Sequence, residues 1–207
     1  MSEVKIDPEQ AALLLIDMQN DILHEKGKLA ASGVGVWKFA KEVGIIRNTR
    51  KMIEIARKNS IPVIYVKIVF RPDYADMGLV QFSPCTLCRM IKEGKVFKEG
   101  TWGAEYVDEL KPEAGDYVVV KRRMNAFYNT DLETLLRGLW RSTLLICGAI
   151  TNFCVEATVR GAVDRDFDAI VLEDCTASES KEMQEFPMKA IFPMLGIVTT
   201  TEELVVE

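Results

Sequence analysis

Short apolar runs alternate along the chain with longer segments in which apolar residues recur every three or four positions. The apolar runs predict six buried strands: Ala11–Ile16, Ile61–Phe70, Tyr117–Val120, Ser142–Ala149, Asp168–Leu172 and Gly196–Thr200. The periodic segments predict four helices: Phe39–Asn59, Thr130–Trp140, Asn152–Phe167 and Lys181–Met194. Because strands and helices alternate, the sequence predicts a Rossmann-like, three-layer α/β/α fold whose mostly parallel sheet has about six strands.

Residues 71–115 break this alternation, since they combine proline, glycine and aromatic residues without a sustained period. A chain of 207 residues has the length of one domain, and long irregular stretches inside a domain commonly cover active sites. We therefore expect a single domain over residues 1–207, with a lid at about 71–115.

Net charge, the length of the apolar runs and the histidine content narrow the classes of function that this chain can have. The net charge is −5 with dispersed basic residues, so no nucleic-acid partner is expected. No apolar run approaches the ~20 residues that cross a bilayer, and the charged N-terminus has no signal-peptide core, which predicts a cytoplasmic protein without membrane contact. A single histidine, His24, cannot build a histidine-rich metal site. We expect no metal and no cofactor, and a small-molecule substrate as the partner.

Three chemically useful residues follow predicted strands. Asp17 follows the first strand, Lys121 follows the third, and Cys154 opens the helix after the fourth. Ligands of open parallel sheets bind at the carboxyl ends of the strands, so these side chains meet there if the strands are neighbours. A helix N-terminus and a nearby ammonium group lower the pKa of a thiol, which favours Cys154 as a nucleophile with Asp17 as its general base. The backbone N–H groups of Ile150 and Cys154 are candidates for an oxyanion hole.

Each of these residues also has a purely structural interpretation. Asp17 can cap a turn, Lys121 can be a solvated charge, and Cys154 can be a small apolar core residue. Their conjunction at one edge of the sheet favours chemistry over these alternatives. Further candidates for substrate contact are a polar residue near Asp17 and four aromatic residues that can equally be core: Gln19, Phe82, Trp102, Phe127 and Tyr128.

The segments around these residues resemble the isochorismatase-like cysteine hydrolases, in particular the N-carbamoylsarcosine amidase and ureidoacrylate amidohydrolase branch. The similarity is carried by Leu14–Asp21 (LLIDMQND), Val119–Arg122 (VVKR) and Gly148–Thr158 (GAITNFCVEAT). Gly100–Glu105 (GTWGAE) and Glu173–Ala177 (EDCTA) are also similar to family segments. The resemblance runs from about Ala11 to Thr200, which is nearly the whole chain.

The resemblance implies an Asp17–Lys121–Cys154 triad, a cis peptide bond between Ala149 and Ile150, and a dimer or tetramer. Members of the family cleave small amide, carbamoyl or ureido compounds through an acyl-enzyme and release ammonia. The nicotinamidase branch holds a metal with two histidines, which this chain does not have. We therefore expect a metal-independent amidohydrolase. An enol-ether hydrolase of isochorismatase type and a catalytically idle binding protein of the same fold are the alternatives.

Cys85 and Cys88 have the spacing of a zinc knuckle or a redox pair. No second Cys-x-x-Cys and no nearby histidine accompanies them in the sequence. They are interpreted as ordinary lid cysteines, with a zinc site and a redox-active disulfide as open alternatives.

Overall fold

The six predicted apolar runs form one parallel sheet in the computed structural model, which describes residues 3–82 and 85–207 (for 79–82, the backbone only), and two short strands that were not predicted form a second sheet. In chain order the strands are β1 (Val4–Ile6), β2 (Ala11–Ile16), β3 (Val63–Ile68), β4 (Tyr117–Lys121), β5 (Thr143–Ala149), β6 (Asp168–Ala177), β7 (Ile197–Thr199) and β8 (Leu204–Val206). Within the described residues the main sheet has six strands in the order β4-β3-β2-β5-β6-β7, and β1 pairs with β8 alone. The predicted fold class is therefore confirmed.

Helices cover both faces of the main sheet. They are α1 (Asn20–Leu23), α2 (Lys28–Ala31), α3 (Val36–Val43), α4 (Ile45–Lys58), α5 (Thr86–Glu93), α6 (Leu132–Gly138), α7 (Glu156–Val163), α8 (Lys181–Phe186) and α9 (Phe192–Leu195). Three 3₁₀ segments, Ala75–Phe82, Trp102–Ala104 and Asp108–Leu110, lie in the stretch that the sequence leaves irregular. Two π-helical turns, Thr151–Val155 and Pro187–Ile191, lead into α7 and α9.

Several boundaries differ from the predictions. The predicted helix Phe39–Asn59 is two helices, because Gly44 between α3 and α4 has a left-handed φ of 78°. Strand β6 runs on to Ala177, five residues past its predicted end, after a register shift against β5 between Ile146 and Gly148. Helix α5 was not predicted, since two turns are too short to show a period.

The side chains of β2 divide between two hydrophobic cores. Leu13 and Leu15 pack in the core that α4 covers, whereas Leu14 and Ile16 pack in the core that α6 and α7 cover. All four side chains are fully buried. Since successive residues of a strand face opposite sides, a continuous apolar run is what a strand between two helical layers requires.

Gly148 allows β5 to approach β2 closely where the two strands end. Its φ is +142°, and a Cβ there would lie 2.2 Å from the carbonyl oxygen of Ile16. We expect Gly148→Ala to lower the free energy of unfolding by about 3 kcal/mol, because the added methyl group forces the two strands apart. Urea unfolding would measure this, with Gly138→Ala in α6 as the control, because a Cβ at Gly138 meets no atom within 4 Å. Equal stability of the two variants would contradict the prediction.

Candidate active site

Asp17 stands at the point where the strand order reverses. The chain adds β3 and β4 on one side of β2 and then returns to place β5 on the other side, and such switch points are where open sheets bind ligands. Asp17 directly follows β2 with a left-handed φ of 52°, which aspartate tolerates better than most residues. Its backbone N–H donates to Val66 O at 2.9 Å, and its side chain is fully buried.

Lys121 reaches Asp17 across an intervening strand. Strand β4, which Lys121 ends, is not a neighbour of β2 as the convergence argument required, because β3 lies between them. The long side chain bridges this gap, and its Nζ lies 2.7 Å from Asp17 Oδ2 and 3.3 Å from Cys154 Sγ. The same Nζ donates to Arg123 O at 3.0 Å. The structure thus brings the carboxylate, the ammonium group and the thiol together.

Cys154 lies in the π-helical turn that follows β5. The peptide bond between Ala149 and Ile150 is cis, as the family resemblance implied. The N–H groups of Phe153 and Val155 both donate to Ile150 O, at 3.0 and 3.3 Å. These bonds fold the turn back on itself, and Cys154 stands between the two donors with its sulfur directed to Lys121.

Burial dominates the electrostatics of this group. Burial raises the pKa of Asp17, although the charge of Lys121 opposes the shift. Burial lowers the pKa of Lys121, but the charges of Asp17 and Cys154 outweigh it, so that the pKa lies above its ordinary value. Burial also raises the pKa of Cys154 to about 12, against the opposing effect of Lys121. This direction is opposite to the lowered thiol pKa that the helix N-terminus and Lys121 alone would predict.

A cavity of about 210 Å³ opens beside Cys154 and Asp17. Its wall is mostly apolar and is drawn from the ends of the sheet and from α5: Ile68, Phe70, Leu87, Met90, Ile91 and Ile150. Such a site has room for a small molecule and presents few polar groups besides those at its reactive end. Asn152, whose Oδ1 accepts a hydrogen bond from Ser178 Oγ at 2.6 Å, also lines it.

Arg122 and Arg123, which were not predicted as site residues, line the same cavity. Arg122 Nε lies 2.5 Å from Asp76 Oδ2, and Arg123 Nη2 donates to Met77 O at 2.9 Å. Both contacts fasten the 3₁₀ segment Ala75–Phe82 to the residues after β4. Their position directly after Lys121 was the available signal, because residues that follow a site residue at a strand end lie at the same edge of the sheet.

The comparison with protein families decides which family this chain belongs to. The profile of the isochorismatase domain matches residues 11–203, which is most of the chain. The chain belongs to the isochorismatase family. The resemblance that the sequence motifs indicated is therefore confirmed.

Curated relatives and solved structures agree with the isochorismatase assignment. Ureidoacrylate amidohydrolase RutB of Acinetobacter baylyi is 30% identical and covers 98% of this chain and 85% of its own. RutB of Yersinia enterocolitica is 37% identical over 80% of this chain and 74% of its own. A cysteine hydrolase from Pseudomonas syringae pv. phaseolicola superposes with a TM-score of 0.84 at 27% identity, covering 98% of this chain and 94% of its own. N-carbamoylsarcosine amidase from Thermoplasma acidophilum gives 0.71 at 27% identity, covering 92% and 96%.

Gln19 was predicted to contact substrate, but in this isochorismatase-family chain its side chain holds two backbone segments together. It is fully buried, and its Nε2 donates to Ile68 O at 2.9 Å and to Ala104 O at 2.8 Å. Its Oε1 accepts from the N–H of Ile68 at 3.0 Å. These bonds tie the end of β3 to the Trp102–Ala104 segment and leave the side chain outside the cavity lining.

Three of the four aromatic residues predicted to contact substrate, Trp102, Phe127 and Tyr128, lie outside the cavity lining. Phe127 is buried in the core under α6 and α7, Tyr128 is 60% exposed, and Trp102 is half exposed outside the cavity lining. The side chain of Phe82 lies outside the described residues. The position of an aromatic residue in an irregular segment of the sequence does not determine whether its side chain faces the cavity, the core or solvent.

Two further properties concern metals and membranes. Among residues 3–82 and 85–207, no cluster of three histidine, cysteine, aspartate or glutamate side chains is arranged to hold a metal ion. The helices in the described part of the chain are all too short or too polar to cross a bilayer.

Proposed function

We propose that Cys154 attacks the carbonyl carbon of a small ureido, carbamoyl or amide compound and forms a thioester-linked acyl-enzyme, with release of ammonia. The observation that carries this proposal is the buried Lys121 Nζ, which lies within hydrogen-bonding distance of both Asp17 and Cys154 beside the cavity. The curated relatives are amidohydrolases by name, which confirms the predicted class of reaction, hydrolysis of a non-peptide carbon–nitrogen bond.

The attack begins with the transfer of the thiol proton. Asp17 and Cys154 both contact Lys121 Nζ, at 2.7 and 3.3 Å, and burial raises the pKa of both groups. The thiol therefore keeps a proton to give, and the raised pKa makes the carboxylate of Asp17 a stronger base than usual. As Sγ adds to the carbonyl carbon, its proton passes to Asp17. The ammonium group of Lys121 stays charged and stabilises the negative charge that moves between the two groups.

Backbone donors complete the first half of the reaction. Within the described part of the chain, the N–H of Ile150 has no hydrogen-bond acceptor, and we assign it to the developing oxyanion together with the N–H of Cys154. When the carbon–nitrogen bond breaks, the nitrogen takes the proton from Asp17 and leaves as ammonia. Water then adds to the thioester, Asp17 accepts its proton, and that proton returns to the departing sulfur.

Ammonia release from a panel of small amides tests this function. Ureidoacrylate, N-carbamoylsarcosine, biuret, maleamate and nicotinamide would be incubated with the wild type and with Cys154→Ser. Release from a ureido or carbamoyl compound by the wild type alone is the expected result. The absence of release from every compound, together with an iodoacetamide reactivity of Cys154 no greater than that of buried Cys147, would contradict the proposal and favour a binding protein.

The raised pKa values predict an unusual pH dependence. The kcat/KM should fall as the pH is lowered through the pKa of Asp17, which burial places above the ordinary carboxyl range, because the protonated carboxyl cannot accept the thiol proton. The rate of alkylation of Cys154 by iodoacetamide should show no step at about pH 8.5, where an ordinary thiol ionises, because its own pKa is about 12. A titration of the alkylation rate with a midpoint near that of a small thiol would contradict the raised pKa of Cys154.

A further inference from the structure

A second pair of sulfur atoms lies at the N-terminus of α5. Cys85 precedes the helix as its N-cap, and Cys88 stands in its first turn. Their Sγ atoms are 2.8 Å apart, and the N–H of Cys88 donates to Cys85 Sγ at 3.4 Å. Both residues are partly exposed. A cysteine at the N-cap with a second one three residues later is an arrangement that allows a disulfide within one turn.

The two thiols differ in acidity. Hydrogen bonds from the thiol and the N–H of Cys88 lower the pKa of Cys85. Burial and the neighbouring sulfur raise the pKa of Cys88 to about 11. In thiol–disulfide exchange the more acidic, more accessible thiol attacks first, and its protonated neighbour resolves the mixed disulfide. Cys85 is therefore suited to the first attack, and Cys88 is suited to resolve the mixed disulfide.

The pair is connected to the catalytic cavity. Cys88 itself lines the cavity, as do Met90 and Ile91 from the same helix. The positive charge of Arg123, which also lines the cavity, acts on Cys88. A covalent bond at the first turn of α5 therefore changes a wall of the same cavity that Cys154 lines.

Zinc does not account for the pair in the part of the chain that the structure describes. A zinc site needs four ligands or three with a water. No third histidine, cysteine, aspartate or glutamate joins the two sulfurs in a metal-binding cluster among the described residues.

We propose that Cys85 and Cys88 form a reversible redox site, oxidised to a disulfide by low-molecular-weight disulfides, which alters substrate access to the cavity. Cys85 thiolate attacks one sulfur of the small disulfide, whose S–S bond breaks and releases one thiol. The resulting mixed disulfide is then attacked by Cys88, which loses its proton as the second small thiol departs. The two cysteines lose two electrons together, and the small disulfide is reduced to two thiols.

The test uses oxidised glutathione as the probe, in a Cys154→Ser background so that the proposed nucleophile cannot contribute. After acid quenching and alkylation, peptide mass spectrometry should find a Cys85–Cys88 disulfide that dithiothreitol removes. The additional change Cys88→Ser should trap glutathione on Cys85. Cys85→Ser should leave about tenfold less adduct on Cys88, since the attacking thiolate is missing. Equal adducts in the two variants, or no disulfide in their parent, would overturn the redox site.

The effect of the disulfide on the cavity is tested separately, by measuring the activity of the protein with Cys154 intact. Glutathione oxidation should lower kcat/KM by about tenfold, because small displacements near a reacting group have effects of this size, and dithiothreitol should restore it. Cys85→Ser, which cannot form the disulfide, should keep its activity under the same treatment. An equal loss in this variant would assign the effect to modification of Cys154 and overturn the link. The mass-spectrometric test does not depend on turnover, so that it remains decisive even if the proposed hydrolase activity is absent.

Discussion

Cys154→Ser should lower kcat/KM for ammonia release by at least about a thousandfold, because a serine hydroxyl is far less acidic and less nucleophilic than a thiol, so that Asp17 deprotonates it far less readily. Asp17 and Lys121 would remain in place, since the replacement removes no charge and leaves the ion pair at 2.7 Å intact. The loss should therefore appear in turnover and leave stability largely unchanged.

Two measurements distinguish this outcome from simple misfolding. The melting temperature of Cys154→Ser should lie within a few degrees of the wild type, and a rapidly quenched wild-type reaction should show the acyl adduct on the Cys154 peptide. Cys85→Ser in reducing buffer is the matched control, because this residue lies outside the cavity lining. Retention of more than about a tenth of the activity by Cys154→Ser would remove the covalent mechanism, since loss of a nucleophile is normally far larger.

The reactive edge of the sheet was predictable because its residues follow uninterrupted apolar runs. Asp17 directly after β2 and the turn after β5 lie at the same edge for any right-handed parallel sheet, whatever the substrate. The position of Lys121 relative to Asp17 was harder to predict, since a local sequence pattern does not determine the order of the strands in a sheet. The convergence argument was conditional on neighbouring strands, but β3 separates β4 from β2, and Lys121 reaches Asp17 because its side chain is long enough to span β3.

The acidity of Cys154 and the wall of the cavity could not be predicted in the same way. Both depend on burial, and burial is a property of the assembled fold. The helix N-terminus and Lys121 were visible in the sequence, but the desolvation that outweighs them was not. Similarly, the amide group of Gln19 is of a type that binds substrates, but its nitrogen and oxygen are already hydrogen-bonded to the backbone of Ile68 and Ala104.

The buried ion pair leads to the second prediction with a large effect. Lys121→Met should lower the free energy of unfolding by about 3–5 kcal/mol at neutral pH, because it leaves the carboxylate of Asp17 buried without its partner. Asp17→Asn should cost a similar amount, since it leaves the ammonium group of Lys121 uncompensated; asparagine tolerates the left-handed φ of this position. Both variants should be inactive, because each removes part of the proton-transfer pair.

The double variant Asp17→Asn with Lys121→Met separates the charge effect from general damage. It buries no charge, so its stability should recover much of what each single change loses, whereas its activity should stay absent. Urea unfolding of the four proteins measures the coupling, with Lys111→Met as the control, because the Lys111–Asp108 pair is exposed and worth about 0–1 kcal/mol. Additive losses in the double variant would show that packing, and not charge, sets the cost.

The pH dependence of Lys121→Met gives an independent check on the same charge. Without its partner, Asp17 is a buried carboxyl whose folded-state pKa lies further above its unfolded value, so the folded state binds a proton more readily than the unfolded one. The stability of this variant relative to the wild type should therefore improve as the pH falls toward that pKa and worsen again as it rises. The double variant, which has no carboxyl at this position, should not show the improvement. A loss in Lys121→Met that does not change with pH would mean that Asp17 finds another partner, and the triad geometry would then not account for the stability of the site.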